Sequence, residues 1–184
     1  MLSKSIGFRL EQVIQEDRKP CNLYSIRFCE ALPSYWSHFA TVGGNCASVY
    51  NIDDKHQVQC LQAFVDEDIE EDLYCCCWSA TDEGCPLLVV SGLRGILKVV
   101  NCVSFEVDSV LLGHGNAVND IRTHPVNDQL VFSASKDDSV RLWNVKTSVC
   151  IAIFAGDQGH TQSVLALDIN PLGTCFLSAG IDNW

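Results

Sequence analysis

Apolar residues in this chain come in short runs cut by turn residues. Leu23, Tyr24, Ile26 and Phe28 begin the first run, and Phe39-Ala40-Thr41-Val42 form the second. Gly43-Gly44-Asn45 follows, a turn built from residues that tolerate positive φ. Ala47 to Tyr50 and Val58 to Phe64 complete a set of four. The same rhythm returns in Leu73 to Trp78, Leu87 to Ser91, Ile96 to Val100 and Cys102 to Val107, with Gly92 to Gly95 as the turn. Further on come Val149 to Phe154, then Val164 to Ile169, and Phe176 to Ala179. Between the last two, Asn170-Pro171-Leu172-Gly173 suits a type I turn. Runs of this length, rich in β-branched and aromatic residues and bounded by turn signals, predict strands. The expected class is all-β. The segment 1–21 is mixed, and Ser5 to Ile14 reads equally as an edge strand or a short helix.

The best-formed unit lies between Gly113 and Trp143, reading GHGNAVNDIRTHPVNDQLVFSASKDDSVRLW. A second copy opens at Gly159-His160. A Gly-His pair, a Ser-rich strand, an Asp in a tight turn and a strand ending in Trp together make one unit of a WD-repeat β-propeller. Four units are expected, at about 22–65, 73–108, 113–155 and 159–184, the last one truncated. That is about three and a half four-stranded blades, where closed propellers have ~4–8. An open arc leaves strand edges unpaired. The chain is therefore expected to be an incomplete propeller, a fragment or short form of a longer product, with segment 1–21 as an N-terminal segment left open between edge strand and short helix.

The residue types of the third unit fit one physical scheme. Asp137 accepts a hydrogen bond from His114 and so fixes its tautomer. The other ring nitrogen accepts from a hydroxyl, Ser133 or Ser135. That hydroxyl accepts from the indole N–H of Trp143. Such a buried chain is favourable only if every member has a partner. Hydrolase triads use the same Ser, His and Asp, but the repeat spacing also explains Trp143, and no Gly-x-Ser-x-Gly elbow is present. These residues are assigned a structural role, and no catalytic residue is assigned. The earlier units are degenerate. Tyr50 stands at the Trp position of the first, which lacks the turn Asp. Val100 and Arg94 stand at the Trp and Asp positions of the second. Apolar packing between sheets supplies the cohesion there. Trp184 follows Asp182 too closely to be the repeat's Trp.

Composition narrows the partners. Net charge is −11 and hydrophobic residues make up 47%. A chain this acidic lacks the broad basic surface of a sequence-specific nucleic-acid binder. The run DEDIEED, Asp66 to Asp72, reads as a solvated loop that could attract a basic peptide. Eleven cysteines form no C-x-x-C pair, so no zinc site is expected. They read as reduced, mostly buried hydrophobes, with Cys75, Cys76 and Cys77 facing alternate sides of a strand. No run is long enough for a membrane span or shaped as a signal peptide. No cofactor is expected. Trp36 and Trp78 are expected to pack or to line inter-strand surface, and His38, His56 and His124 have no ligand-spaced partners.

Several stretches together resemble the EED / extra sex combs / FIE family of Polycomb WD-repeat proteins: LYSIRF (23–28), FATVGGNCASVYN (39–51), FVDEDIEEDLYCCCW (64–78), PLLVVSGLRGILKVVN (86–101), GHGNAVNDIRTHP (113–125), SASKDDSVRLWNV (133–145) and CIAIFAGDQGHTQSVLALD (150–168). The resemblance implies a ring of about seven blades and a non-catalytic scaffold in the nucleus. It implies a partner methyltransferase of the Enhancer-of-zeste type. It also implies reading of a trimethyl-lysine on a histone tail by an aromatic cage, in transcriptional repression. Two cage positions fall on Tyr24 and Tyr74. A quaternary ammonium has no N–H, so ring faces hold it by cation–π attraction. A generic WD-repeat interaction adaptor is the competing reading.

Overall fold

The computed structural model describes residues 10, 12–15 and 22–182. Most of segment 1–21 and Trp184 therefore lie outside the described residues. Within that segment the Gln12 Oε1 accepts from the Val58 amide at 3.1 Å.

Three antiparallel sheets of four strands and a two-stranded sheet follow one another along the chain, a partial propeller. The first contains β1 (Ser25–Phe28), β2 (His38–Gly43), β3 (Cys46–Ile52) and β4 (Val58–Val65), paired in chain order. The second contains β5 (Leu73–Ala80), β6 (Pro86–Gly92), β7 (Leu97–Asn101) and β8 (Val107–Leu111). The third contains β9 (Val118–Thr123), β10 (Leu130–Ser135), β11 (Val140–Asn144) and β12 (Val149–Phe154). The fourth pairs β13 (Val164–Ile169) with β14 (Phe176–Gly180). Each four-stranded sheet is a meander of strands paired in chain order; the β1–β2 connection, residues 29–37, is the long one and carries a 3-10 turn.

Alternation along the strands explains why the sheets stack. In β5, Cys75 and Cys77 join the core shared with the third sheet, while Cys76 and Trp78 join the core shared with the first. In β6, Leu87 and Val89 point one way and Leu88 and Val90 the other. The strands β5 and β6 are thus buried on both faces, which is why they read as near-continuous apolar runs. A third, smaller core joins the third and fourth sheets through Phe132, Ala134, Val140, Val164 and Leu167. Trp78 also donates its indole N–H to the Arg27 carbonyl at 2.9 Å, tying β5 to β1.

Three expectations are corrected. The fourth strand of the second unit is Val107–Leu111, where Cys102 to Val107 was expected. Residues 101–106 form a turn instead: the Asn101 side chain accepts from the amides of Val103 and Ser104, and Phe105 has φ 66°. Trp36 does not pack; it sits 64% exposed after the short 3-10 turn Pro33–Tyr35. The acidic run is not a solvated loop throughout, because Asp66 and Glu71 are buried. The cysteines among the described residues are free thiols, and Cys60 and Cys175 are exposed. No helix among the described residues is long and apolar enough to cross a membrane.

Candidate functional site

The third sheet brings His114, Asp137, Ser133 and Trp143 together. His114 Nδ1 lies 2.8 Å from Asp137 Oδ2, and His114 Nε2 lies 2.6 Å from Ser133 Oγ. Trp143 Nε1 donates to the same Ser133 Oγ at 2.8 Å. A carboxylate has no proton to give, so Nδ1 carries the hydrogen and Nε2 accepts from the hydroxyl. Ser135, the other hydroxyl considered, donates to the carbonyl of Ala117 instead. Asp137 also accepts from the Gly115 amide at 2.9 Å and the Ser139 hydroxyl at 2.6 Å. Burial works against its charge, but the Ser139 hydroxyl, the Gly115 amide and His114 together hold its pKa down at about 2. Burial lowers the His114 pKa, against the pull of Asp137, so the imidazole is neutral in the fold. Ser133 and the His114 side chain are fully buried. A triad geometry is present, and its hydroxyl is buried between the imidazole and the indole.

The fourth sheet repeats the arrangement, which the sequence reading did not single out. His160 Nδ1 lies 2.9 Å from Asp182 Oδ1 and His160 Nε2 2.9 Å from Ser178 Oγ. The Thr161 amide donates to Asp182 as Gly115 does to Asp137. The signal was there in the second Gly-His pair, followed at nearly the same spacing by Ser178 and Asp182.

At the entry to the inner strands of the first two sheets, Tyr24 and Tyr74 meet. Their ring centroids are 5.1 Å apart and their planes 80° from parallel, so two walls stand at a right angle. The Tyr24 amide donates to the Val42 carbonyl, holding that residue against β2. Tyr74 lies in β5 between buried Leu73 and Cys75. Tyr24 is 47% exposed, so the corner opens to solvent. The Tyr24 hydroxyl donates to Asp72 Oδ2 at 3.1 Å. Burial first, and then the charge of Asp72, raise the Tyr74 pKa.

The acidic run beside this corner is fastened to the second sheet. Lys98 Nζ lies 2.5 Å and 2.7 Å from the two oxygens of Asp66. Arg94 pairs with Asp68 at 2.8 Å and Glu70 at 2.9 Å. Buried Glu71 accepts from the amides of Arg94 and Asp72. Among the described residues, no group of His, Cys, Asp and Glu is gathered that could hold a metal ion.

Comparison with known proteins agrees with this architecture. The family described as "WD domain, G-beta repeat" matches residues 105–144 and 148–184. Polycomb group protein FIE2 of Zea mays is 42% identical over 179 residues, covering 92% of this chain and 47% of that protein. Polycomb protein esc of Drosophila virilis is 40% identical over 146 residues, covering 79% of this chain and 34% of that protein. The chain belongs to the FIE and esc family of Polycomb WD-repeat proteins. It spans between about a third and a half of the length of the relatives it matches, 48% of one plant protein and 34% of the Drosophila virilis protein. A solved chain in the crystal structure of the Chaetomium thermophilum polycomb repressive complex 2 superposes with TM-score 0.83 at 27% identity, covering 93% of this chain and 38% of that one. Another neighbour, with TM-score 0.78 and 27% identity, covers 93% of this chain and 38% of that one; its structure is of the same complex with H3K27me3 and H3K27M. In this FIE/esc-family chain the WD-repeat match takes in the third and fourth sheets, the two that carry the His–Asp–Ser chemistry, and leaves out the degenerate first sheet.

Proposed function

We propose that the chain is part of a non-catalytic scaffold and reader subunit of a Polycomb histone methyltransferase complex in the nucleus. Its partners in this reading are an Enhancer-of-zeste-type catalytic subunit and a trimethyl-lysine histone tail. The observation that carries the reading is the perpendicular, solvent-open pair of Tyr24 and Tyr74. Two ring faces at a right angle supply part of a cation–π enclosure, and each is worth roughly 0.5–1 kcal/mol at an exposed site. The acidic run alongside adds attraction for a basic tail. The scaffold half is supported by family membership and by likeness to chains of polycomb repressive complex 2. The non-catalytic half is supported by the burial of the Ser133 hydroxyl, which already serves His114 and Trp143.

The test has two arms. Tagged full chain is recovered from nuclear extract, and a SET-domain methyltransferase is expected to come with it. Calorimetry compares a trimethyl-lysine histone H3 peptide with its unmodified form, and tighter binding of the methylated peptide is expected. Equal affinity for the two peptides removes the reader role, and recovery without the methyltransferase removes the scaffold role.

A further inference from the structure

We infer that the cleft between the third and fourth sheets is a socket for an indole. The indole comes on an extended strand of a partner polypeptide, which pairs with the outer edge of β14. The cleft measures about 560 Å³ and is lined by Val140, Ile153 and Phe154 of the third sheet and His160, Phe176 and Ser178 of the fourth. Most of these walls have a counterpart around Trp143, one blade earlier. There Leu97 faces Leu111 across the ladder, as Val140 faces Phe154. Val131 precedes Ser133 by two residues, as Phe176 precedes Ser178. Ser133 lies 2.6 Å from His114 Nε2, as Ser178 lies 2.9 Å from His160 Nε2. The indole of Trp143 shares one core with Leu97, Leu111 and Val131, and its N–H donates to Ser133 Oγ. The cleft repeats that acceptor and that apolar frame. Phe154 and Phe176, edge to face at 4.9 Å, add aromatic walls.

The donor pattern selects the ligand. His160 Nδ1 faces the Asp182 carboxylate and so carries the hydrogen, leaving Nε2 to accept from Ser178. A hydroxyl that donates in this way keeps lone pairs with which to accept. In an apolar cleft, such an acceptor suits a flat apolar body with a single N–H, which is an indole. An alkyl or phenyl group fills the frame and leaves the acceptor unused. The edge of β14 supplies the rest of the recognition. Among the described residues β14 pairs with β13 alone. Its other edge offers backbone donors and acceptors to an added strand. The third sheet sets the register: Trp143 faces Val131, and Arg141 faces Ser133. On β14 the incoming tryptophan therefore faces Phe176, and the residue two before it faces Ser178. A basic residue suits that second place. Asp182 holds His160 as Asp137 holds His114, and Arg141 stands 3.8 Å from Asp137. The tryptophans among the described residues are placed elsewhere: Trp78 donates to the Arg27 carbonyl, Trp143 to Ser133, and Trp36 is exposed. Trp184 follows Asp182 by two residues, where six separate Trp143 from Asp137.

The test is calorimetry on the full chain with a synthetic peptide of the β11 sequence, SVRLWNV (residues 139–145), and with the same peptide carrying phenylalanine in place of tryptophan. The tryptophan peptide is expected to bind about two- to tenfold more tightly, the worth of one neutral hydrogen bond. Ser178→Ala is expected to erase that difference by weakening the tryptophan peptide alone. Amide exchange in the complex is expected to slow at Phe176 to Gly180. The comparison of the two peptides on unaltered protein stands even if Ser178→Ala fails to fold. Absence of binding, equal affinity for the two peptides, or protection confined to other strands overturns the inference. Equal losses for both peptides in a folded Ser178→Ala variant do the same. Two further results reassign the cleft and so overturn the partner strand as its occupant. Tighter peptide binding after Trp184→Phe gives it to the chain's own last tryptophan. A dimer of the chain that the peptide dissociates gives it to a second copy.

Discussion

Val90 and Ser133 hold the same place in neighbouring sheets. Val90 faces Lys98 across the ladder as Ser133 faces Arg141, and Leu88 faces Val100 as Val131 faces Trp143. Both are completely buried. In the third sheet this place carries a hydroxyl that gives to His114 and receives from Trp143. In the second it carries only methyl groups, and Val100 fills the space of the indole. Ion pairs stand at the rim of the second sheet instead, where Lys98 meets Asp66 and Arg94 meets Asp68 and Glu70. The first sheet solves the problem a third way, stacking Phe39 on Tyr50 at 5.0 Å, with Phe28 at 5.5 Å from Phe39. The lesson is that the blades differ in how far they carry the chain: the third has all four members, the fourth has His160, Asp182 and Ser178, and the second has none of them, while single buried polar groups such as Ser91, bonded to the Ile96 carbonyl, stand outside it. A chain that strands a donor in a dry core costs more than its hydrogen bonds return.

That comparison can be broken at several points. The largest effect is expected from Trp143→Ala, which empties a fully buried site and removes the donor from Ser133. It should cost about 3–5 kcal/mol in urea unfolding. Val100→Ala at the matching place should cost about 2 kcal/mol. Equal costs would show that the relay adds nothing beyond packing. Next comes Lys98→Met, which leaves the buried Asp66 charge without its partner, at about 2–4 kcal/mol. Adding Asp66→Asn should recover part of that loss, and no recovery would mean that the pair is not what matters. A smaller cost, about 2–3 kcal/mol, is expected for Val90→Ser, which puts a hydroxyl where no relay waits for it. The same group stabilises the neighbouring sheet, so a neutral Val90→Ser would dissolve the contrast.

The smallest effect is in the pH dependence. His114 is held neutral, below its ordinary 6.5, so on acidification the unfolded chain takes up this proton first. Stability should begin to fall below about pH 6.5 for that reason. Asp137 sits at about 2 against an ordinary 3.8. Its contribution, about 2 kcal/mol, is present above about pH 4 and is lost toward pH 2. Asp137→Asn should flatten that second, lower part of the fall in the urea midpoint. A midpoint in the variant that falls as steeply there as in wild type would place the acid sensitivity elsewhere.

The strand order and the third sheet were legible because the periodicity of its apolar runs and its Gly-His, Ser, Asp and Trp sit at repeat spacing, which local chemistry enforces. The turn after Asn101 was misread because its capping uses one asparagine side chain and a positive φ at Phe105, neither of which shows in hydropathy. The acidic run misled for a different reason. Seven residues with six carboxylates look solvated, and only the fold brings Lys98, and the Arg94 amide, to Asp66 and Glu71. Tyr24 and Tyr74 were placed by resemblance. That their rings meet at a right angle, with Asp72 on the lip, depends on two sheets packing together, which no local pattern encodes.

The most direct test of the functional account is the affinity of the full chain for a trimethyl-lysine histone peptide in wild-type, Tyr24→Ala and Tyr74→Ala forms, with melting temperatures recorded alongside. Loss of one ring is expected to weaken binding by about two- to fivefold while each variant still co-purifies with the methyltransferase. Wild-type affinity in both folded variants would contradict the account.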